Sequence, residues 1–116
     1  MWLTAVRSDG QPQSTPVWFL WDGSSFLMYS QPSAPKVRNI RANSKVSMHL
    51  SDDGLGEDVA IFEGTAESTG EGIKEHEGAY VKKYRTHIAD LGYEIERFAR
   101  EYSTAIRIAP ARARMW

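Results

Sequence analysis

The chain has 116 residues, a formal net charge of −1 and no cysteine. That length suits one domain, and 41% apolar with 25% charged residues is the composition of a folded globular chain, not a disordered one. The near-neutral charge argues against a global basic field for nucleic acid, while the lack of cysteine excludes thiol catalysis, disulfides and cysteine-based zinc sites and suits a cytoplasmic protein.

Taken in chain order, Trp2 to Arg7 has strand composition and Ser8 to Gln11 is a turn signal, so this strand is expected to form a hairpin with the next, Pro12 to Leu20. Pro12 and Pro16 cannot donate ladder hydrogen bonds, which places that second strand at a sheet edge or at a bulge. Asp22-Gly23 is the strongest hairpin turn in the sequence, and it returns the chain as a strand from Ser25 to Ser30. A short helix begins at Ser33 or Ala34, with Pro35 suited to its first turn. Val37 and Ile40 are its buried residues, and Asn43 ends it. Lys45 to Ser51 is a strand, Asp52 to Glu57 a polar loop, and Val59 to Thr69 a long strand bent at Gly64.

From about Ile73 a helix follows in which Ile73, Tyr80, Val81, Tyr84 and Ile88 share a face. Leu91-Gly92 breaks it. A second helix carries Ile95, Phe98, Ala99 and Tyr102 at helical spacing. Ser103 to Ala109 reads as a last strand, and Pro110 to Trp116 as a tail. Six strands with turn-rich hairpins and two late helices predict a small antiparallel barrel with helices packed outside it. No apolar run approaches a membrane span, and the N-terminus lacks the basic-then-apolar pattern of a signal peptide.

Chemistry-bearing residues cluster early. Ser30, Ser33, Lys36 and Arg38 surround a helix N-terminus, where free backbone N–H groups and the dipole favour an anion. The same spacing also describes a capped helix with a solvated basic face. In Ser14, Thr15, Pro16, Val17 and Trp18, prolines leave backbone groups unpaired beside large flat rings, which can meet a planar heterocycle. An ordinary edge strand reads the same way. Strand alternation puts Trp18 and Leu20 on one face and Phe19 and Trp21 on the other. His49, His76 and His87 form no metal pattern. No serine has a nucleophile-elbow context. Asp52, Asp53, Glu57 and Asp58 lack calcium-loop spacing. Arg107, Arg112 and Arg114 could meet an anionic ligand or a partner subunit, or face solvent.

These residues together resemble the pyridoxamine 5′-phosphate oxidase-like split-barrel superfamily, and most of all its deazaflavin branch, which uses coenzyme F420 in actinobacteria. The resemblance rests on Ser14 to Gly23, Tyr29 to Pro32, Lys36 to Asn43 with Val46 to Leu50, Glu63 to Glu67, and Ile106 to Trp116. It implies a mainly β fold, a six-stranded antiparallel split barrel of FMN-binding type with flanking helices, spanning residues 1–116 as one cofactor-binding domain. It further implies a cytoplasmic homodimer with the cofactor at the subunit interface. Ser14, Thr15, Pro16, Val17 and Trp18 would meet the ring, and Ser30, Gln31 and Lys36 the phosphate. Lys36, Arg38 and Arg41 would form a basic groove for the longer anionic tail of F420.

Two departures stand out. Relatives often carry a basic residue just before the lysine, where this chain has Ala34 and Pro35. They also usually carry a helix before the first strand, so an N-terminal helix is expected to be missing from this sequence. The implied activity is hydride transfer between F420 and a small, planar, conjugated substrate, with FMN as the alternative cofactor. Such chemistry belongs to the cofactor and needs no nucleophile or paired carboxylates; Tyr29 and His49 are candidates for an acid or base. No metal, nucleic acid or membrane partner is expected. A non-catalytic carrier of cofactor or haem on the same fold, and a single-stranded nucleic-acid barrel, are the competing readings.

Overall fold

The computed structural model describes residues 1–50, 60–69, 77–92 and 94–115. Along them the chain forms β1 (Trp2–Val6), β2 (Pro12–Pro16), β3 (Leu20–Trp21), β4 (Phe26–Ser30), α1 (Pro35–Ala42), β5 (Lys45–His49), β6 (Ala60–Thr69), α2 (Glu77–Asp90), α3 (Ile95–Glu101) and β7 (Thr104–Met115). All these strands join one sheet in the order β2-β1-β5-β6-β7-β4-β3, and each pairing is antiparallel. β2 and β3 lie at opposite ends of that order, yet only residues 17–19 separate them in the chain. Three residues reach about 10–11 Å at full extension, so the sheet must curl until its two edges approach. This is the split-barrel class that the sequence predicts.

Among the described residues the strand count is seven, not six, because the expected strand from Pro12 to Leu20 is two strands on opposite edges. The Val17 N–H makes a last bond toward β1, to the Met1 carbonyl at 2.8 Å, and the chain then crosses to the other edge. At that edge Asp22 and Gly23 close the β3–β4 turn, where Gly23 takes a positive φ of 98° that a side chain would strain.

A second correction concerns the C-terminus. The stretch after Ala109, expected as a tail, continues β7 to Met115, paired with the first half of β6. Gly64 makes this continuation possible. The register shifts between Glu63 and Gly64, and a Cβ on Gly64 would lie 2.4 Å from the Ala109 carbonyl oxygen. Pro110, which has no N–H, is tolerated opposite this bulge.

Alternation along the strands sorts the apolar side chains into two clusters. Leu3, Ala5, Phe26, Met28, Met48, Ile106 and Ile108 fill the barrel interior, closed by Val37 and Ile40 of α1. Leu27, Tyr29 and Ala105 point the other way and receive Tyr80, Tyr84 and Ile88 of α2 and Phe98 of α3. β4 is buried at every position because it is covered on both faces. Trp18 and Leu20 join the outer cluster and Phe19 the inner one, as alternation predicts. Gly92 breaks the chain after α2 with a φ of 81°. The expected helix start near Ile73, the Asp52 to Asp58 acidic cluster and His76 lie outside the described residues.

Candidate functional site

α1 begins against the β2 edge, and three adjoining cavities line up there. Pro35 sits in the first turn, where its fixed φ suits a helix start. Ala34 at the N-cap offers no side-chain cap to the helix.

The first cavity, about 180 Å³, lies between the crossing segment and the outer helices. Pro16, Val17 and Trp18 form one wall, and Tyr29, Tyr80, Phe98 and Tyr102 the others. Trp18 is sandwiched in this cluster: its ring stacks on Tyr84 at 4.8 Å and on Phe98 at 5.9 Å. Burial holds the Tyr80 phenol well above its usual range, and the neighbouring Tyr84 adds to the shift.

The second cavity, about 240 Å³, is bordered by more hydrogen-bonding side chains. Gln13, Ser14 and Thr15 of β2 face Pro35 and Asn39 of α1 across it. The buried Asn39 donates its side-chain N–H to Gln13 Oε1 at 3.0 Å, which ties the helix to the sheet edge. The Ser14 and Thr4 hydroxyls share a hydrogen bond at 2.7 Å.

Lys36 borders both cavities. Burial pulls its ammonium below the usual lysine value, because a partly desolvated charge is disfavoured until an anion meets it. Among the described residues Lys36 has no carboxylate within salt-bridge distance.

The third cavity, about 420 Å³, shares Gln13, Pro35 and Asn39 with the second and adds Arg38 and Arg7. Arg7 is held by both oxygens of Asp9, whereas Arg38 is exposed and makes no ion pair among the described residues.

The row therefore runs from an aromatic end, past one amine, to a dibasic end. Of the residues singled out in the sequence, Ser14, Thr15, Pro16, Val17, Trp18, Lys36 and Arg38 border it. Ser30 and Gln31 do not: Ser30 is buried at the end of β4 and donates its hydroxyl to the Gln31 carbonyl at 3.2 Å. Arg41 turns away and hydrogen-bonds the Ser68 hydroxyl at 3.1 Å. Arg107 pairs with Asp22 at 2.7 Å and steadies the β3–β4 turn. His49 stacks on Trp2 on the far side of β1 and borders none of the three cavities.

Sequence reasoning missed Gln13, Asn39, Arg7 and the ring wall of Tyr80, Phe98 and Tyr102. The helical spacing marked those rings as buried, but nothing in it distinguished core from cavity wall. Among the described residues no group of histidine and carboxylate side chains could hold a metal ion, and no helix is long and apolar enough to cross a membrane.

The whole chain, residues 1–116, matches the pyridoxamine 5′-phosphate oxidase family. No curated protein sequence matches it. Solved structures agree with the family. A protein called F420 reductase is 25% identical, with a TM-score of 0.76 over 97% of this chain and 86% of that one. A putative pyridoxamine 5′-phosphate oxidase from Listeria innocua is 22% identical, with a TM-score of 0.71 over 98% of this chain and 85% of that one. An FAD-binding protein from Mesorhizobium loti is 19% identical, with a TM-score of 0.71 over 97% and 81%. The chain belongs to the pyridoxamine 5′-phosphate oxidase family, in its split-barrel superfamily.

Proposed function

We propose that this chain binds coenzyme F420 along the row of cavities and works as a deazaflavin-dependent oxidoreductase on a small, planar, conjugated molecule. The observation that carries the reading is the polarity of the row. A ring-lined end, one amine and a distant arginine match a ligand made of a flat heterocycle, a phosphate and a further anionic tail. The first two cavities are each smaller than about 300 Å³, the lower end for a drug-sized ligand, so a large cofactor needs the adjoining row. FMN ends at its phosphate and would leave Arg38 unused.

The donor set fits this group. Val17 and Trp18 would flank the ring, with Trp18 held flat by Tyr84. Lys36 would meet the phosphate as a point charge, and Ser14, Thr15 and Gln13 would border the polar linker. Arg38 would hold the tail. Bound there, the cofactor supplies hydride transfer at its ring carbon. The chain contributes binding, orientation and exclusion of water by the aromatic wall.

The unit we propose is a homodimer, with the cofactor near the interface. Trp2, 38% exposed, and a shallow groove bordered by Thr4, Ser47, Thr65 and Ala111 lie along β1, β5, β6 and β7, away from the outer cluster that receives α2 and α3. Sedimentation at micromolar concentration tests this, and a monomer alone would count against it.

The deciding experiment titrates the protein with F420 and, separately, with FMN. Selective binding of F420 that weakens in Arg38→Ala supports the reading. Equal binding of FMN with no effect at Arg38 moves the chain to the flavin side of the family.

A further inference from the structure

Phe19 is the last residue of the segment that crosses between the two sheet edges. Its N–H and its carbonyl sit between β2 and β3, outside both ladders. Backbone groups withdrawn even partly from water need partners, and α2 supplies them. The Phe19 N–H donates to the Tyr84 hydroxyl at 2.7 Å, and the same hydroxyl donates to the Phe19 carbonyl at 2.9 Å. Lys83 Nζ donates to that carbonyl at 2.6 Å and lies 3.8 Å from the centre of the Phe19 ring. One residue back, Trp18 stacks on the Tyr84 ring with planes 7° apart. Tyr84 therefore fixes the backbone of one residue and the side chain of its neighbour. Both belong to the segment that walls the aromatic cavity.

We infer that Tyr84, assisted by Lys83, is a positioning residue: from α2 it sets where Val17 and Trp18 stand and so the width of the ring-binding end. Lys83 and Tyr84 overlap at the carbonyl. Among the described residues Tyr84 alone serves the N–H. The two residues are adjacent in sequence, so one turn of α2 grips the seam of the barrel. A displacement of that turn would move the wall and, through the Phe19 ring, reach the edge of the inner cluster. The effect on ligand affinity rests on the cofactor reading above, whereas the grip on Phe19 does not.

Tyr84→Phe is the informative variant, since it keeps the ring stack and removes only the hydroxyl. Amide exchange at Phe19 is compared with that of α2 amides, alongside the Trp18 indole N–H signal and titrations with F420 and with FMN. In Tyr84→Phe the Phe19 amide should exchange about tenfold faster, the worth of one lost hydrogen bond, with α2 amides unchanged. The Trp18 indole signal should move, and the dissociation constant of the bound cofactor should rise by about the same factor. Lys83→Met should show the same changes in smaller measure, and Lys83→Arg, which keeps a donor, should restore them.

The inference is overturned if α2 amides speed up as much as Phe19, for then the hydroxyl only stabilises the fold. It is also overturned if Phe19 is released but affinity stays the same. Should the wild-type protein bind neither cofactor, the function proposed above fails. The positioning role is then judged on exchange and indole shift together: a freed Phe19 with a moved indole sustains it, and a stationary indole overturns it.

Discussion

The barrel interior and the outer aromatic cluster are both buried, yet they are built from different side chains. The interior is aliphatic, with methionine and one phenylalanine among its fully buried residues. The outer cluster holds Tyr29, Tyr80, Tyr84, Trp18 and Tyr102, and every one of these except Tyr84 borders the first cavity. Aliphatic side chains fill space and carry no polar atom to satisfy. Tyrosines bring a hydroxyl that must find a partner and can thereby fix a neighbouring backbone, as Tyr84 does at Phe19. The interior holds the fold, and the outer layer shapes the cavity.

Substitutions should separate the two regions, beginning with the interior. Ile106→Ala removes a fully buried side chain and should cost about 2–5 kcal/mol of stability, read by urea unfolding. A loss confined to ligand binding would mean that the interior is not the mechanical core. Lys36→Ala should do the opposite. It should weaken cofactor binding by about 1.5–3 kcal/mol, the range for hydrogen bonds to charged groups, while the apo protein keeps or slightly gains stability because a desolvated ammonium is removed. Unchanged affinity in the titration would take Lys36 out of the site.

Tyr80→Phe probes the border between the regions. The phenol is buried beside the Tyr29 ring, and its loss should cost no more than about 1 kcal/mol. Because the folded phenol ionises well above the ordinary tyrosine value of 10.0, the unfolded chain releases this proton first. Wild-type stability therefore falls as pH rises past that value, and the Phe variant lacks this component of the fall. Parallel curves for both proteins would contradict it.

The smallest effect belongs to the β3–β4 turn. The Asp22 carboxylate accepts from the Ser24 and Ser25 N–H groups at 2.9 and 2.7 Å, and these bonds hold its pKa far below the ordinary aspartate value of 3.8. Asp22→Asn keeps an acceptor for both; at the second oxygen it gives up the partly exposed pair with Arg107, worth less than about 1 kcal/mol, and the bond accepted from the Ser25 hydroxyl at 3.0 Å, which the amide N–H can replace by donating to that hydroxyl. Wild-type stability has this contribution above pH 3.8 and loses it as pH falls below that value; Asp22→Asn should be flatter across that window in acid titration.

Much of the fold was legible because local chemistry and global topology agree. Asp22-Gly23 and Ser8 to Gln11 turn where they should, Pro12 and Pro16 lie on an edge strand, Gly64 marks the bulge, and Asn43 ends α1. The exceptions have one cause. Residues 12–20 look like one strand because alternation continues through Trp18, Phe19 and Leu20, and nothing local tells the chain to change edges. Pro110 looked like a strand end because a proline in a ladder is costly until a glycine opposite makes room. Around the cavities, Lys36 and the segment from Ser14 to Trp18, which border the row, were singled out by residue type. Asn39, Arg7 and the tyrosine wall were not, since each becomes part of a cavity only through elements distant in sequence.

The sequence by itself determined most of the strands, the turns and the cationic helix start, because propensity and alternation act over a few residues, and its resemblance pointed to the family. Only the tertiary structure decided that the sheet closes through residues 17–19, that three cavities adjoin along α1, and that α2 grips the closing segment through Tyr84. Those features depend on backbone groups left outside both ladders and on side chains 65 positions apart meeting there, and only the curl of the whole sheet brings them together.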